Sequence, residues 1–186
     1  MKHLDFLKES FKNIRTTGAV ARSSKYLVRE MMQPIHFADA KIIVELGAGD
    51  GVLTIELLSR MAADARLLCF EINPEFCKIL RGAIDDPRFV LIEDSAENLE
   101  QYLQEWGFEK ADYIISAIPF IALPNELVYR IVSVCHKVLK NKGLFIQFHY
   151  SSFIQKMYRK FFDHVEVEFV PLNIPPAFVM ICEKNS

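Results

Sequence analysis

Ile42-Ile43-Val44-Glu45-Leu46-Gly47-Ala48-Gly49-Asp50-Gly51 is the stretch on which the reading of this chain turns. An apolar run rich in β-branched residues and without alternation is the pattern of a parallel strand buried on both faces. The run meets an acid, Glu45, and then the glycines Gly47, Gly49 and Gly51, which let the backbone turn sharply and let a ligand come close to it. Val52-Leu53-Thr54-Ile55-Glu56-Leu57-Leu58 then reads as a helix. Strand, glycine turn and helix form the first half of a nucleotide-binding βαβ unit. The dinucleotide fingerprint G-x-G-x-x-G, begun at Gly47 and Gly49, would need glycine at the position held by Val52. The third glycine comes one residue early, at Gly51, so the turn need not cradle a pyrophosphate.

Further along, Leu67-Leu68-Cys69-Phe70-Glu71-Ile72 reads as a second strand ending on an acid. Glu71 lies roughly 20 residues beyond the glycines, where a carboxylate can bridge both ribose hydroxyls of a nucleoside. Asn73-Pro74 opens the next helix, with proline in its first turn. Arg88 to Ile92 forms a third strand, followed by Glu93-Asp94-Ser95-Ala96. Asp94 can accept from an adenine amine, with Ser95 beside the ring edge; either residue can instead cap the helix through Leu99 and Leu103. Ala111 to Ser116 is the fourth strand, and the loop Ala117-Ile118-Pro119-Phe120 follows it at the switch in strand order, where chemistry sits in open α/β sheets. Leu127, Ile131, Val134 and Val138 form the inner stripe of a helix expected to stop at Asn141-Lys142-Gly143, with His136 off the stripe and solvated. Leu144 to Tyr150 is the fifth strand and brings His149 and Tyr150 to the same rim. Val165 to Val170, which alternates like an edge strand, and Ala177 to Cys182 form an antiparallel closing hairpin joined by Pro171 to Pro176.

The 186 residues suit one domain with a sizeable core. A hydrophobic content of 51% with 25% charged residues is that of an ordinary globular protein, and a net charge of −2 does not mark a nucleic-acid binder. No apolar run reaches membrane-spanning length, and the N-terminus lacks a signal-peptide apolar region. Cys69, Cys77, Cys135 and Cys182 are scattered through apolar segments, which points to buried free thiols in a reducing compartment. Residues 1–33 form an N-terminal helical extension to a main domain, 34–186. Leu4, Leu7, Phe11 and Ile14 lie on one helical face among Lys2, Lys8, Lys12 and Arg15. Such a helix packs on the domain by its apolar face or lies on an anionic membrane. Between it and the helix starting near Lys25 is the hydroxyl-rich loop Gly18 to Ser24, in which Ser24 can act as a cap.

Several separate segments now agree. Glu45-Leu46-Gly47-Ala48-Gly49-Asp50-Gly51 resembles the first motif of class I S-adenosylmethionine-dependent methyltransferases. Gly18 to Ser24, Ser116 to Phe120, Gln147 to Tyr150 and Asn173 to Val179 resemble the signatures of bacterial phospholipid N-methyltransferases, which methylate phosphatidylethanolamine. That resemblance implies a Rossmann-like α/β fold: a seven-stranded, mostly parallel sheet in the order 3-2-1-4-5-7-6, flanked by helices. It implies S-adenosylmethionine as cofactor and S-adenosylhomocysteine as product. The residues it points to are Ser23, Ser24, Glu45, Gly47, Ala48, Gly49, Gly51, Glu71, Ile72, Asp94, Ser95, Ser116, Ile118 and Pro119. Tyr26, His149 and Tyr150 are the candidates to accept a proton from the attacking amine or to place it; no metal is implied. The implied partners are a phospholipid substrate and an anionic membrane surface met through the N-terminal helix. The expected state is a cytoplasmic monomer peripheral to the inner face of the membrane. Arg22, Ala117, Phe120 and His149 depart from the family pattern near the acceptor side. The alternative is an enzyme like the ribosomal RNA adenine N6-dimethyltransferases, or one for a small amine. Ser116 stands where the RNA enzymes carry an asparagine, and the chain has no room for their RNA-binding helical domain.

Overall fold

A computed structural model describes residues 24–185 of the chain. The apolar run becomes β1 (Ile42–Leu46), buried at every position, as a strand covered on both faces must be. It lies between β2 (Arg66–Phe70) and β4 (Ala111–Ser116), parallel to both. β3 (Phe89–Ile92) flanks β2, and β5 (Leu139–His149) flanks β4, again parallel. β7 (Ala177–Glu183) pairs antiparallel with β5 and with the edge strand β6 (His164–Val170). The order is β3-β2-β1-β4-β5-β7-β6, the expected topology. Because β7 alone is reversed, β6 runs the same way as β5, and the loop after β6 opens on the rim where the other parallel strands end.

Helices cover both faces. On one face α1 (Lys25–Met32) and α2 (Val52–Arg60) bury Leu27, Met31, Leu53 and Leu57 against Ile43, Ile115 and Ile146. The N-terminal segment 1–23, including Ser23 and the apolar stripe Leu4 to Ile14, lies outside the described residues. Ser24 caps α1 by accepting the Leu27 N–H at 3.2 Å, and its own N–H reaches Asn173 Oδ1 at 3.4 Å, tying α1 to the β6–β7 connection. α3 (Pro74–Ala83) follows β2, with Asn73 as its cap. On the other face α4 (Leu99–Glu105) and α5 (Asn125–Val138) pack against Val44, Ile114 and Phe145. The four-residue α6 (Gln155–Tyr158) places Tyr158 in the same core.

The helix expected to run to Asn141 ends at Val138 instead, and Leu139 already pairs with Ala111. The sheet draws the chain in here: Lys140 Nζ binds Asp112 Oδ1 and the Lys142 N–H donates to the Lys184 carbonyl at 2.6 Å. The buried face of α5 is also wider than the expected stripe. Val128, Val132 and Cys135 are buried, while Val134 is only half-buried. His136 is not solvated: it is half-buried, edge-on to Phe162 at 5.3 Å, and burial lowers its pKa. All four cysteines are buried free thiols.

Candidate active site

The loop after β1 needs its glycines. Gly47, Gly49 and Gly51 all have positive φ, the left-handed region that side-chain-bearing residues avoid. At Gly47 a Cβ would also come within 3.0 Å of Ile118 Cγ1 and 3.3 Å of the Ile118 backbone nitrogen. Gly47→Ala is therefore expected to cost about 3 kcal/mol, the sum of a left-handed alanine and an overpacked contact; its urea midpoint against wild type measures this. Gly51 starts α2, and Ala48 is buried behind the turn.

Glu71 ties this loop to the end of β2. Its Oε2 accepts the Gly49 N–H and its Oε1 the Asn73 N–H, each at 2.8 Å. Burial raises its pKa, and these backbone donors pull the other way. A carboxylate has about four acceptor sites, so lone pairs remain for a ligand's hydroxyls.

Glu45 is wholly buried on β1, beneath the loop. Burial raises its pKa from 4.5 to about 7; the Thr54 hydroxyl, too poorly placed for a full hydrogen bond, and the Cys69 thiol at 3.5 Å from Oε2 work against that rise. The folded state thus favours protonated Glu45. The stability this gives is complete below the unfolded value and disappears as pH rises through about 7. Urea midpoints between pH 5 and 8 are expected to fall by the equivalent of roughly 1–3 kcal/mol, and Glu45→Gln is expected to flatten the profile.

Asp94 accepts the Ser95 N–H at 2.7 Å, the Asn98 side-chain amide at 2.9 Å and the Tyr102 hydroxyl at 3.0 Å. Ser95 caps the short 3-10 turn that leads into α4. After β4, the Ser116 hydroxyl accepts the Ile118 N–H at 3.3 Å, and Gln147 of β5 donates to the Ile118 carbonyl at 2.9 Å. Pro119 then leads into a turn that buries Phe120.

These elements enclose one cleft. Gly47, Glu71, Ile72, Asp94, Ser95 and Ile118 line it together, with Leu123, Leu127 and Ile131 as an apolar wall. The three aromatic candidates do not share it. Tyr26 lines a separate groove with Arg29 and Phe169. His149 is buried, its Nε2 2.7 Å from the Tyr158 hydroxyl and its ring 6.1 Å from Phe120. Burial lowers its pKa to about 4, so it is neutral at physiological pH. Tyr150 is exposed at the end of β5, edge-on to Phe148 at 5.8 Å.

Residues 43–143 match a family model described as a methyltransferase domain. The chain is 35% identical over 179 residues to an ornithine lipid N-methyltransferase of Singulisphaera acidiphila, covering 95% of this chain and 93% of that protein. The chain is an S-adenosylmethionine-dependent methyltransferase of the bacterial lipid N-methyltransferase family. Its fold is also that of solved methyltransferases of low identity. A Burkholderia thailandensis 1,6-didemethyltoxoflavin-N1-methyltransferase, solved with S-adenosylhomocysteine, shares 14% identity at a TM-score of 0.72, over 100% of this chain and 90% of that one. A Geobacter metallireducens precorrin-6y C5,15-methyltransferase shares 16% at 0.68, over 87% and 89%.

The residues of this methyltransferase fit its cofactor. Nothing lies within 4 Å of where a Gly49 Cβ would be, which leaves open space over the turn. Glu71 presents a buried carboxylate, and Ile72 and Ile118 give the same cleft apolar surface suited to a flat ring. Among the described residues no cluster of His, Cys, Asp or Glu is arranged to hold a metal ion.

Sequence reasoning missed Tyr158 and Gln147. Gln147 lay in a quoted signature, but only its pairing opposite Ser116 shows that it holds the Ile118 loop. Tyr158 sits in a four-residue helix, too short for periodicity to reveal.

Proposed function

We propose that this methyltransferase acts on the primary amine of an amine-bearing membrane lipid, of the ornithine lipid or phosphatidylethanolamine type. The observation that carries this reading is the 35% identity to a lipid N-methyltransferase over nearly the whole of both chains. Glu71, Asp94 and Gly47 of the glycine loop line the cleft that would hold the cofactor, whereas Ser24, Ser116 and Pro119 lie outside its lining. Bound there, S-adenosylmethionine would supply an electrophilic methyl to the amine lone pair, the C–S bonding pair leaving with the thioether sulfur. The attacking amine has to be neutral, since an ammonium has no lone pair. Outside the cleft itself, the exposed Tyr150 hydroxyl at the end of β5 is assigned the role of meeting the incoming amine and accepting its N–H, and the surplus proton passes to water. Neutral His149, held by Tyr158, is a packing and positioning element beside Phe120 rather than the base. Tyr26, facing another groove, takes no step in the transfer.

No helix among the described residues is long and apolar enough to cross a membrane. A lipid substrate therefore calls for peripheral attachment. We infer that the basic, amphipathic residues 1–16 supply part of it at the anionic inner leaflet, each Lys or Arg contributing about 1 kcal/mol, with the enzyme monomeric in the cytoplasm. The test is transfer of label from the cofactor to vesicles containing phosphatidylethanolamine or ornithine lipid, with ribosomal RNA and free ethanolamine as parallel acceptors. Label in the lipid is expected. Label in RNA or ethanolamine alone would overturn the reading.

A further inference from the structure

The rim of the sheet is divided into two chemically different halves. The loops after β1, β2 and β3 form one half and carry Asp50, Glu71, Glu93 and Asp94; Glu71 and Asp94 line the cofactor cleft, and Glu93 pairs with Arg81. The loops after β4, β5 and β6 form the other half: residues 117–124, 150–154 and 171–176. None of those three loops contains a charged residue, although a quarter of the chain is charged. Connections at the opposite end of the sheet are ordinary in this respect, with Asp64, Asp85, Asp86, Glu109, Lys110 and Asp163. Surface loops without charge are unusual, and these three also hold the most exposed large apolar side chains among the described residues. Ile121 is 90% exposed, Ile174 84%, Phe153 83% and Leu172 62%. The three loops come from different parts of the sequence, and the common direction of β4, β5 and β6 brings them to one edge.

We propose that this half of the rim is a membrane-inserting face. Ile121, Phe153, Leu172 and Ile174 enter the headgroup region of a lipid leaflet, so that the acceptor amine reaches the methyl without leaving the bilayer surface. The proposal rests on the lipid-acceptor reading above and assigns to it a surface and an orientation. The occupant is a leaflet because one of these loops, 117–124, also lines the cleft through Ile118 and Leu123. A lipid head can pass between separate apolar tips, whereas a second copy seated on them would close the entrance. Exposed Lys25 at the start of α1 and Lys156, two residues after the 150–154 loop, supply cations for anionic headgroups; the acids nearest in sequence are Glu126 and Glu168, and Arg29 and Glu30 share a groove with Leu172. Aliphatic and aromatic tips flanked by lysines are the composition of an interfacial anchor.

The experiment uses the full chain and vesicles of equal parts phosphatidylcholine and phosphatidylglycerol, which offer no primary-amine acceptor, so binding is read without catalysis. The combined variant Ile121→Ser, Phe153→Ser, Leu172→Ser and Ile174→Ser is expected to bind these vesicles about tenfold or more weakly than wild type, from the apolar area lost to the leaflet. Its calorimetric affinity for S-adenosylhomocysteine and its melting temperature are expected to stay at wild-type values, which separates loss of docking from loss of fold. An environment-sensitive dye attached through Phe153→Cys, practicable because the native thiols are buried, is expected to shift to the blue with vesicles. The same dye through Glu109→Cys, at the far end of the sheet, is expected not to shift. Wild-type vesicle affinity in the combined variant overturns the proposal, including the case in which only deletion of residues 1–23 abolishes binding. A blue shift that grows with protein concentration in the absence of vesicles also overturns it, in favour of a second copy on this face. Insertion that survives while no lipid is methylated overturns the lipid-acceptor reading instead, so the two failures are distinguishable.

Discussion

Glu71→Gln is expected to weaken S-adenosylhomocysteine binding about a hundredfold or more, the largest effect expected of any single change in the cleft. The reasoning begins with the two oxygens of the carboxylate, which accept the Gly49 and Asn73 N–H groups at 2.8 Å each. An amide replaces one oxygen by a donor, which then faces a backbone donor in a buried position. A charged hydrogen bond contributes about 1.5–3 kcal/mol, and the glutamine removes both the charge that two ribose hydroxyls would meet and one of the bonds shaping the glycine turn. Titration calorimetry reads the loss at a temperature where circular dichroism shows the variant fully folded, since the misplaced donor also lowers the melting temperature. Binding within threefold of wild type would contradict the assignment of Glu71 to the cofactor.

Tyr158→Ala is expected to lower the unfolding free energy by about 4 kcal/mol, the range for deleting a fully buried ring. Tyr158 has no exposed surface, packs against Phe145 at 5.7 Å, and binds His149 through its hydroxyl. Tyr158→Phe keeps the ring and is expected to cost about 1–2 kcal/mol, because the buried His149 Nε2 is then left without its partner. The sign of the pH dependence follows from His149. Its pKa is depressed from 6.5 to about 4, so the stability tied to the neutral ring is present above pH 6.5 and disappears as pH falls through 4. Urea denaturation of wild type and both variants at pH 7 and pH 5 measures these quantities.

The strand ends at Glu45 to Gly51, Glu71 and Asp94 were legible because the end of an apolar run is a local event in sequence; one cleft gathers Gly47, Glu71 and Asp94, while Glu45 is buried beneath the loop. The strand order was legible for a related reason, since five βα units followed by a proline-rich hairpin leave few connections that obey right-handed crossover. Helix ends were less legible. The stop at Val138 rather than Asn141 is imposed by Lys140 reaching Asp112 on another strand, and no local signal records that. His136 failed in the same way, because the ring that covers it, Phe162, lies beyond β5.

By itself, then, the sequence determined the architecture and the turn that follows β1, because glycines with positive φ and the ends of apolar runs carry their reasons within a few residues. The tertiary structure alone decided which side chains meet across elements. It paired Tyr158 with His149, set Gln147 against the Ile118 carbonyl, directed Tyr26 away from the cleft and gathered Ile121, Phe153, Leu172 and Ile174 on one edge. Those outcomes depend on the register and direction of strands far apart in the chain, which the pattern along any one segment does not contain.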